Sequence, residues 1–164
     1  MINMSQNRVY VNMMRDTLKR KKEILLILLN ETRQQEQMLK SDEIDEKMFT
    51  SIIEDKGLQI DELNKMDEGF DTLFKYVERE IESNRFAYKE EIQEMQKLIA
   101  EVSELGVQVQ ALEHQNAAHF KVYLANQKKI IREFHLNKKT SSSYYQNMLN
   151  SHKAEQSYFF DQIK

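Results

Sequence analysis

Apolar side chains recur three and four residues apart through almost the whole chain, the spacing that gathers them on one side of a helix. The first such stripe runs from about Gln6 to Leu39 through Val9, Met13, Met14, Leu18, Leu25, Leu28, Thr32 and Leu39. Within it Ile24-Leu25-Leu26-Ile27-Leu28-Leu29 is apolar on every side, so this part of the helix is expected to be covered on more than one face. Leu25 and Leu28 are expected in the core, and Lys21 and Lys22 on the solvent side. Lys40-Ser41-Asp42-Glu43 interrupts the pattern, with Ser41 or Asp42 suited to cap the next helix.

A second helix is expected from about Asp42 to Glu82, with Phe49, Ile52, Ile53, Ile60, Leu63, Met66, Phe70, Leu73, Phe74, Val77 and Ile81 on its stripe. Gly57 and Gly69 lie inside it and suit either close helix contact or a bend. Ser83-Asn84 is the next turn. A third helix follows from about Arg85 to Asn137, its seam formed by Tyr88, Ile92, Met95, Ile99, Val102, Gly106, Val109, Phe120, Tyr123, Ile130 and Phe134. Leu98, Leu105 and Leu112 form a second seam, so the middle of this helix should touch two neighbours. The pattern predicts an all-α fold, an elongated antiparallel bundle of about three long helices over residues 1–139, each roughly 60–75 Å long.

After Lys138-Lys139-Thr140-Ser141-Ser142-Ser143 the character changes, and five of the 15 Tyr and Phe residues fall in the last 21 positions. Residues 140–164 are therefore expected to form a C-terminal helical arm that packs on the body or on a partner. Tyr144 and Met148 share one helix face, and Tyr145 and Leu149 a neighbouring one.

Composition agrees with helices joined by few turns, for there is no proline and only three glycines. The absence of cysteine excludes a disulfide framework and thiolate chemistry. The longest apolar run is six residues, against roughly 20 for a membrane span, so neither membrane insertion nor a targeting segment is expected. Charge is uneven: residues 1–40 carry +4, 41–104 carry −11 and 105–164 carry +4. Basic arms and an acidic centre attract one another when the chain folds back, although solvated surface charge accounts for the same count.

Chemistry is hard to find. None of His114, His119, His135 and His152 has a second histidine at i+4 or a glutamate three residues before it, so the helical zinc and di-iron patterns are missing. No glycine-rich loop is present to cradle a phosphate. The sequence therefore points to no enzyme, no metal and no cofactor. Lys19-Arg20-Lys21-Lys22 before leucines has a basic-zipper layout, but the heptads are not sustained and the acidic centre repels phosphate backbones, so no nucleic acid is expected.

Three stretches resemble the FlgN-like flagellar export chaperones: Leu39-Lys40-Ser41-Asp42-Glu43-Ile44-Asp45, then Glu54-Asp55-Lys56-Gly57-Leu58-Gln59-Ile60-Asp61-Glu62-Leu63 with Met66-Asp67-Glu68-Gly69-Phe70-Asp71, and Lys138-Lys139-Thr140 with Tyr144-Tyr145-x-x-Met148. The resemblance implies a cytoplasmic bacterial chaperone of flagellum biogenesis, without ATPase activity. It implies as partners the hook-associated (hook–filament junction) proteins, whose C-terminal amphipathic helices it holds before type III secretion, and the export apparatus. Partner binding then falls on Tyr144, Tyr145, Met148 and Leu149. Tyr158 and Phe159 belong to an apolar extension outside the family pattern and are carried as further candidates. A homodimer is compatible with the pattern. The rival function is a structural coiled-coil spacer or adaptor that self-assembles, against which stand Glu113, Asn116 and Gln127, which interrupt the long seam.

Overall fold

The computed structural model describes residues 4–41 and 43–126, and every element among them is helical. Four helices follow one another: α1 Met4–Leu39, α2 Glu46–Glu68, α3 Phe70–Ser83 and α4 Lys89–Asn126. At about 1.5 Å per residue, the 36 residues of α1 and 38 of α4 span roughly 54 and 57 Å. Contacts of α1 with α4 step upward together, from Arg15–Glu94 through Lys22–Glu101 to Thr32–Glu113, so these two helices run parallel. Gln35–Lys56 and Lys21–Asp67 on α2, then Lys21–Phe70 and Tyr10–Tyr76 on α3, run in opposite order, so α2 and α3 return antiparallel to both. The result is an elongated up-down-up bundle.

The expected second helix is two helices. Asp45, not Ser41 or Asp42, caps it: its extended backbone leaves the carboxylate free to accept from the Met48 N–H at 3.2 Å, and Asp42 lies outside the described residues. The helix then breaks at Gly69, and α3 begins at Phe70. Gly69 keeps a right-handed backbone (φ −97°), so the break needs no glycine-only conformation; the residue there simply has low helix propensity. Gly57 breaks nothing and approaches nothing, since a Cβ there would find no atom within 4 Å. The turn at Ser83-Asn84 stands as read, with the Asn84 N–H donating to the Glu80 carbonyl at 3.1 Å.

Three apolar clusters stack along the rod. Near the α3–α4 turn, Val11, Met14, Leu18, Phe70, Val77, Ile81, Ile92, Met95 and Ile99 pack together. The middle cluster joins Ile24, Leu25, Leu28 and Leu29 to Ile60, Leu63, Val102 and Val109. At the α1–α2 corner, Phe49 stacks on Phe120 with ring centroids 5.1 Å apart, beside Leu124.

The seam of α1 is a strict heptad through Val11, Met14, Leu18, Lys21, Leu25, Leu28, Thr32 and Gln35, all buried. That phase corrects three expectations. Val9 and Met13, read as stripe residues, are 50% and 49% exposed, because Val11 takes the seam position between them. Leu26 and Ile27 are exposed, so the run 24–29 is buried on one broad face and not all round. Lys21, read as solvent-facing, is only 1% exposed. Its ammonium meets Asp67 at 2.5 Å and lies 4.2 Å from the centre of the Phe70 ring, which neutralises it beside the α2–α3 break. Lys22 does reach the surface, where it pairs with Glu101 at 2.7 Å.

Candidate docking groove between α1 and α4

Two parallel helices have two flanks. α2 and α3 cover one, and the other carries no helix among the described residues. On the open flank the lower half is laced by charge: Arg8 with Glu91 at 3.8 Å, Arg15 and Lys19 with Glu94 at 3.4 and 3.2 Å, and Lys22 with Glu101 at 2.7 Å. The Lys19 ammonium, chiefly through its hydrogen bond, holds the Glu94 carboxyl below the usual range. Both partners are well exposed, so these pairs orient the two helices more than they stabilise them.

Above Lys22 the residue types change. Leu29 and Leu112 form the apolar floor of a cleft of about 400 Å³, walled by Arg33, Glu36 and Gln37 on α1 and by Gln108, Ala111 and Gln115 on α4. Val122, seven residues beyond Gln115 on the same column of α4, is 66% exposed and continues the wall toward the corner. Leu105 and Leu112, two members of the second α4 seam, pack on the middle cluster while only partly buried. That seam therefore does border a second flank, and the flank holds no helix among the described residues.

Beneath the same level lies a polar layer. Lys56 reaches from α2 to form an ion pair with Glu113 and donates to Gln35 Oε1 at 2.8 Å. Thr32 Oγ1 donates to the Leu28 carbonyl at 2.6 Å and meets Glu113 at 3.4 Å, while Asn116 Nδ2 donates to the Thr32 carbonyl at 2.9 Å. Three buried oxygens in this region, Glu31 Oε2, Gln59 Oε1 and Asn116 Oδ1, have no hydrogen-bond partner. Burial pushes the Glu31 carboxyl up, Asp55 adds to the rise, and Lys56 opposes it. Glu113 and Asn116, read as interruptions of the seam, are thus members of an internal network that sets how the three helices register.

Elsewhere, Tyr88 donates to Glu80 Oε1 at 2.9 Å and Asn84 Nδ2 to the same oxygen at 3.1 Å, which locks the α3–α4 turn. Burial first, then the hydrogen bond to Glu80, raises the Tyr88 phenol. Phe86 stands at the tip of that turn, 94% exposed.

The candidate contacts Tyr144, Tyr145, Met148, Leu149, Tyr158 and Phe159 lie outside the described residues, as do Gln127, Ile130, Phe134, His135 and His152. His114 and His119 are exposed. Among the described residues no group of three metal-ligating side chains comes together, and no helix is long and apolar enough to cross a membrane. Sequence reasoning missed the cleft itself. Its signal was the paired seams of α4, of which only one can face α1 and α2 together.

No family model matches the chain, and no curated protein or solved structure is significantly similar to it.

Proposed function

We propose that this protein is a flagellar export chaperone of the FlgN-like kind, which holds the terminal amphipathic helix of a hook-associated protein in the bacterial cytoplasm before type III secretion. The observation that carries the reading is the open α1/α4 flank. There an apolar floor of Leu29 and Leu112 lies between walls of Arg33, Glu36, Ala111 and three glutamines, above the last described α1–α4 ion pair, Lys22–Glu101. Helix-in-groove recognition needs this combination of apolar anchor sites and a wet, weakly charged rim. Holding a helix requires no nucleotide and no metal. The motif stretches around Lys56 and Asp67 support the same reading, because both residues anchor α2–α3 against α1 and so keep that unit off the open flank.

The test is calorimetry of the full chain with a synthetic peptide covering the C-terminal amphipathic helix of a hook-associated protein. One peptide should bind per chain. Arginine at the exposed Ala111 should abolish binding without unfolding the rod. Alanine at Tyr144 and Met148 together should weaken it by about 2 kcal/mol or more. No binding, or binding indifferent to the Ala111 change, sinks the proposal. Concentration-dependent filaments in sedimentation, with no peptide bound, would favour the spacer.

A further inference from the structure

We infer that the α1/α4 groove selects an acidic helix, one that seats an apolar side chain on Leu29 and Leu112 and sets a carboxylate against Arg33, about one turn along. This selectivity rests on the helix-in-groove reading and adds the chemistry of the partner to it.

Rows of residues seven apart face each other across the α1/α4 flank. On α1, Arg15, Lys22, Leu29 and Glu36 form one row, and Lys19, Leu26 and Arg33 the next. Opposite them on α4 stand Glu94, Glu101, Gln108 and Gln115. Low on the rod each cation of these rows has its acid: Arg15 and Lys19 meet Glu94 at 3.4 and 3.2 Å, and Lys22 meets Glu101 at 2.7 Å. Two turns higher the ladder loses one side only. The α4 row changes from glutamate to glutamine at 108 and 115, whereas α1 places a further cation, Arg33, on the cleft wall. Arg33 is exposed and meets no acid among the described residues. Glu36, the other charge on that wall, reaches along its own helix to Lys40 at 3.8 Å. The cleft therefore carries one unmatched positive charge. Beside it, Leu26 is 46% exposed and extends the apolar floor about one turn below Leu29.

A helix that covers this floor takes the Arg33 guanidinium partly out of water. The guanidinium then needs an acceptor that α4 does not supply, so a client without a carboxylate there binds at a disadvantage. The lower local dielectric strengthens the pair where the carboxylate is present. Arg33 lies four residues from Leu29, about 6 Å along the axis, so the matching carboxylate lies three or four residues from the client's apolar anchor. The amides of Gln108 and Gln115 both donate and accept, and they add no preference of sign.

Two designed amphipathic peptides test the sign. They share a central leucine and differ only in carrying glutamate or lysine at both the fourth residue before it and the fourth after it, which covers either direction of docking. Calorimetry with the full chain should show the glutamate peptide binding roughly threefold to tenfold more tightly, a gap that closes in about 1 M salt. Arg33→Glu should reverse the order, and Arg33→Gln should erase it while both peptides still bind. Neither change should move the melting temperature appreciably, because Arg33 is exposed. Equal affinity of the two peptides for the parent chain, or a preference that survives Arg33→Gln, would overturn the inference and leave the groove standing. Failure of both peptides to bind would overturn it together with the groove, whereas the hook-associated peptide tests the identity of the client. A chain that sediments as a dimer and falls to monomers on Arg33→Glu would assign the flank to a second copy, which overturns it as well.

Discussion

The lower and upper halves of the rod are held in different ways. From Val11 to Leu29, α1 meets its partners through one nearly unbroken apolar seam, relieved only by Lys21. At Thr32 and Gln35 the seam turns polar, and with Lys56, Glu113 and Asn116 they take positions that leucine or valine would fill, before Met38 and Leu39 join the apolar cluster at the corner. Apolar layers stabilise without fixing register, since many shifts bury similar area. A polar layer tolerates few shifts, because each one strands a donor or an acceptor. The half with the open cleft is thus the half whose packing is specified at the expense of strength.

The widest separation of the two halves comes from truncating the lower seam. Leu25 and Leu28 are fully buried, so alanine at either should cost about 2–5 kcal/mol by lost transfer energy and cavity formation. Urea denaturation measures it directly. A loss below about 1 kcal/mol would mean that the middle cluster is not the stabilising centre.

In the upper half, removing one charge should hurt more than removing both. Alanine at Glu113 leaves the Lys56 ammonium buried without its carboxylate and should cost about 3 kcal/mol. The double change Lys56→Met with Glu113→Leu should recover most of that, since packed apolar groups commonly replace buried ion pairs without loss. If the double variant is no better than the single one, the network is worth more as a unit than its charges suggest.

Lys21 tests the exception inside the apolar half. Its pairing with Asp67 and its seat on Phe70 predict a cost of about 1.5–3 kcal/mol for alanine. Alanine at the more exposed Lys22 should cost less than about 0.5 kcal/mol. Two adjacent lysines then differ only through their place in the heptad. Alanine at Gly57 should act in the other direction and stabilise by about 0.5–1 kcal/mol, because the site is helical and a Cβ there meets no atom within 4 Å. A thermal melt shows both signs.

How far these features were legible depends on what kind of signal each one leaves. The end of α1 at Leu39 and the turn at Ser83-Asn84 are local events, so residue pattern located them. Lys21 was misplaced because charge was read as exposure, although its heptad position alone put it inside. Val9 and Met13 were misplaced by one step of phase, an error that tertiary contact with α3 and α4 resolves. The break at Gly69 leaves little trace, since one glycine among strong helix formers reads equally as a tolerated flaw. The cleft was the least legible of all. A groove is defined by the helix missing from it, and two seams on α4 reveal that a second flank exists but not whether it is filled.

The smallest expected effect singles out Glu31. Burial disfavours its charged form, and Asp55 adds repulsion that Lys56 only partly offsets. Its carboxyl therefore titrates higher in the folded chain than in the unfolded one. Above the folded value the folded state carries an extra penalty. As pH falls through that value the folded chain takes up a proton before the unfolded chain does, and stability contributed by this group rises until the unfolded value is passed. Glutamine at Glu31 removes the penalty and keeps the shape. At neutral pH the variant should melt slightly higher, by less than about 0.5 kcal/mol, since the side chain is only half-buried. The difference between variant and parent should shrink in acid, as the parent's carboxyl becomes neutral. Melts of both proteins at matched pH and salt decide the point. A variant less stable at neutral pH would show that the Glu31 carboxylate attracts Lys56 more strongly than its burial repels it.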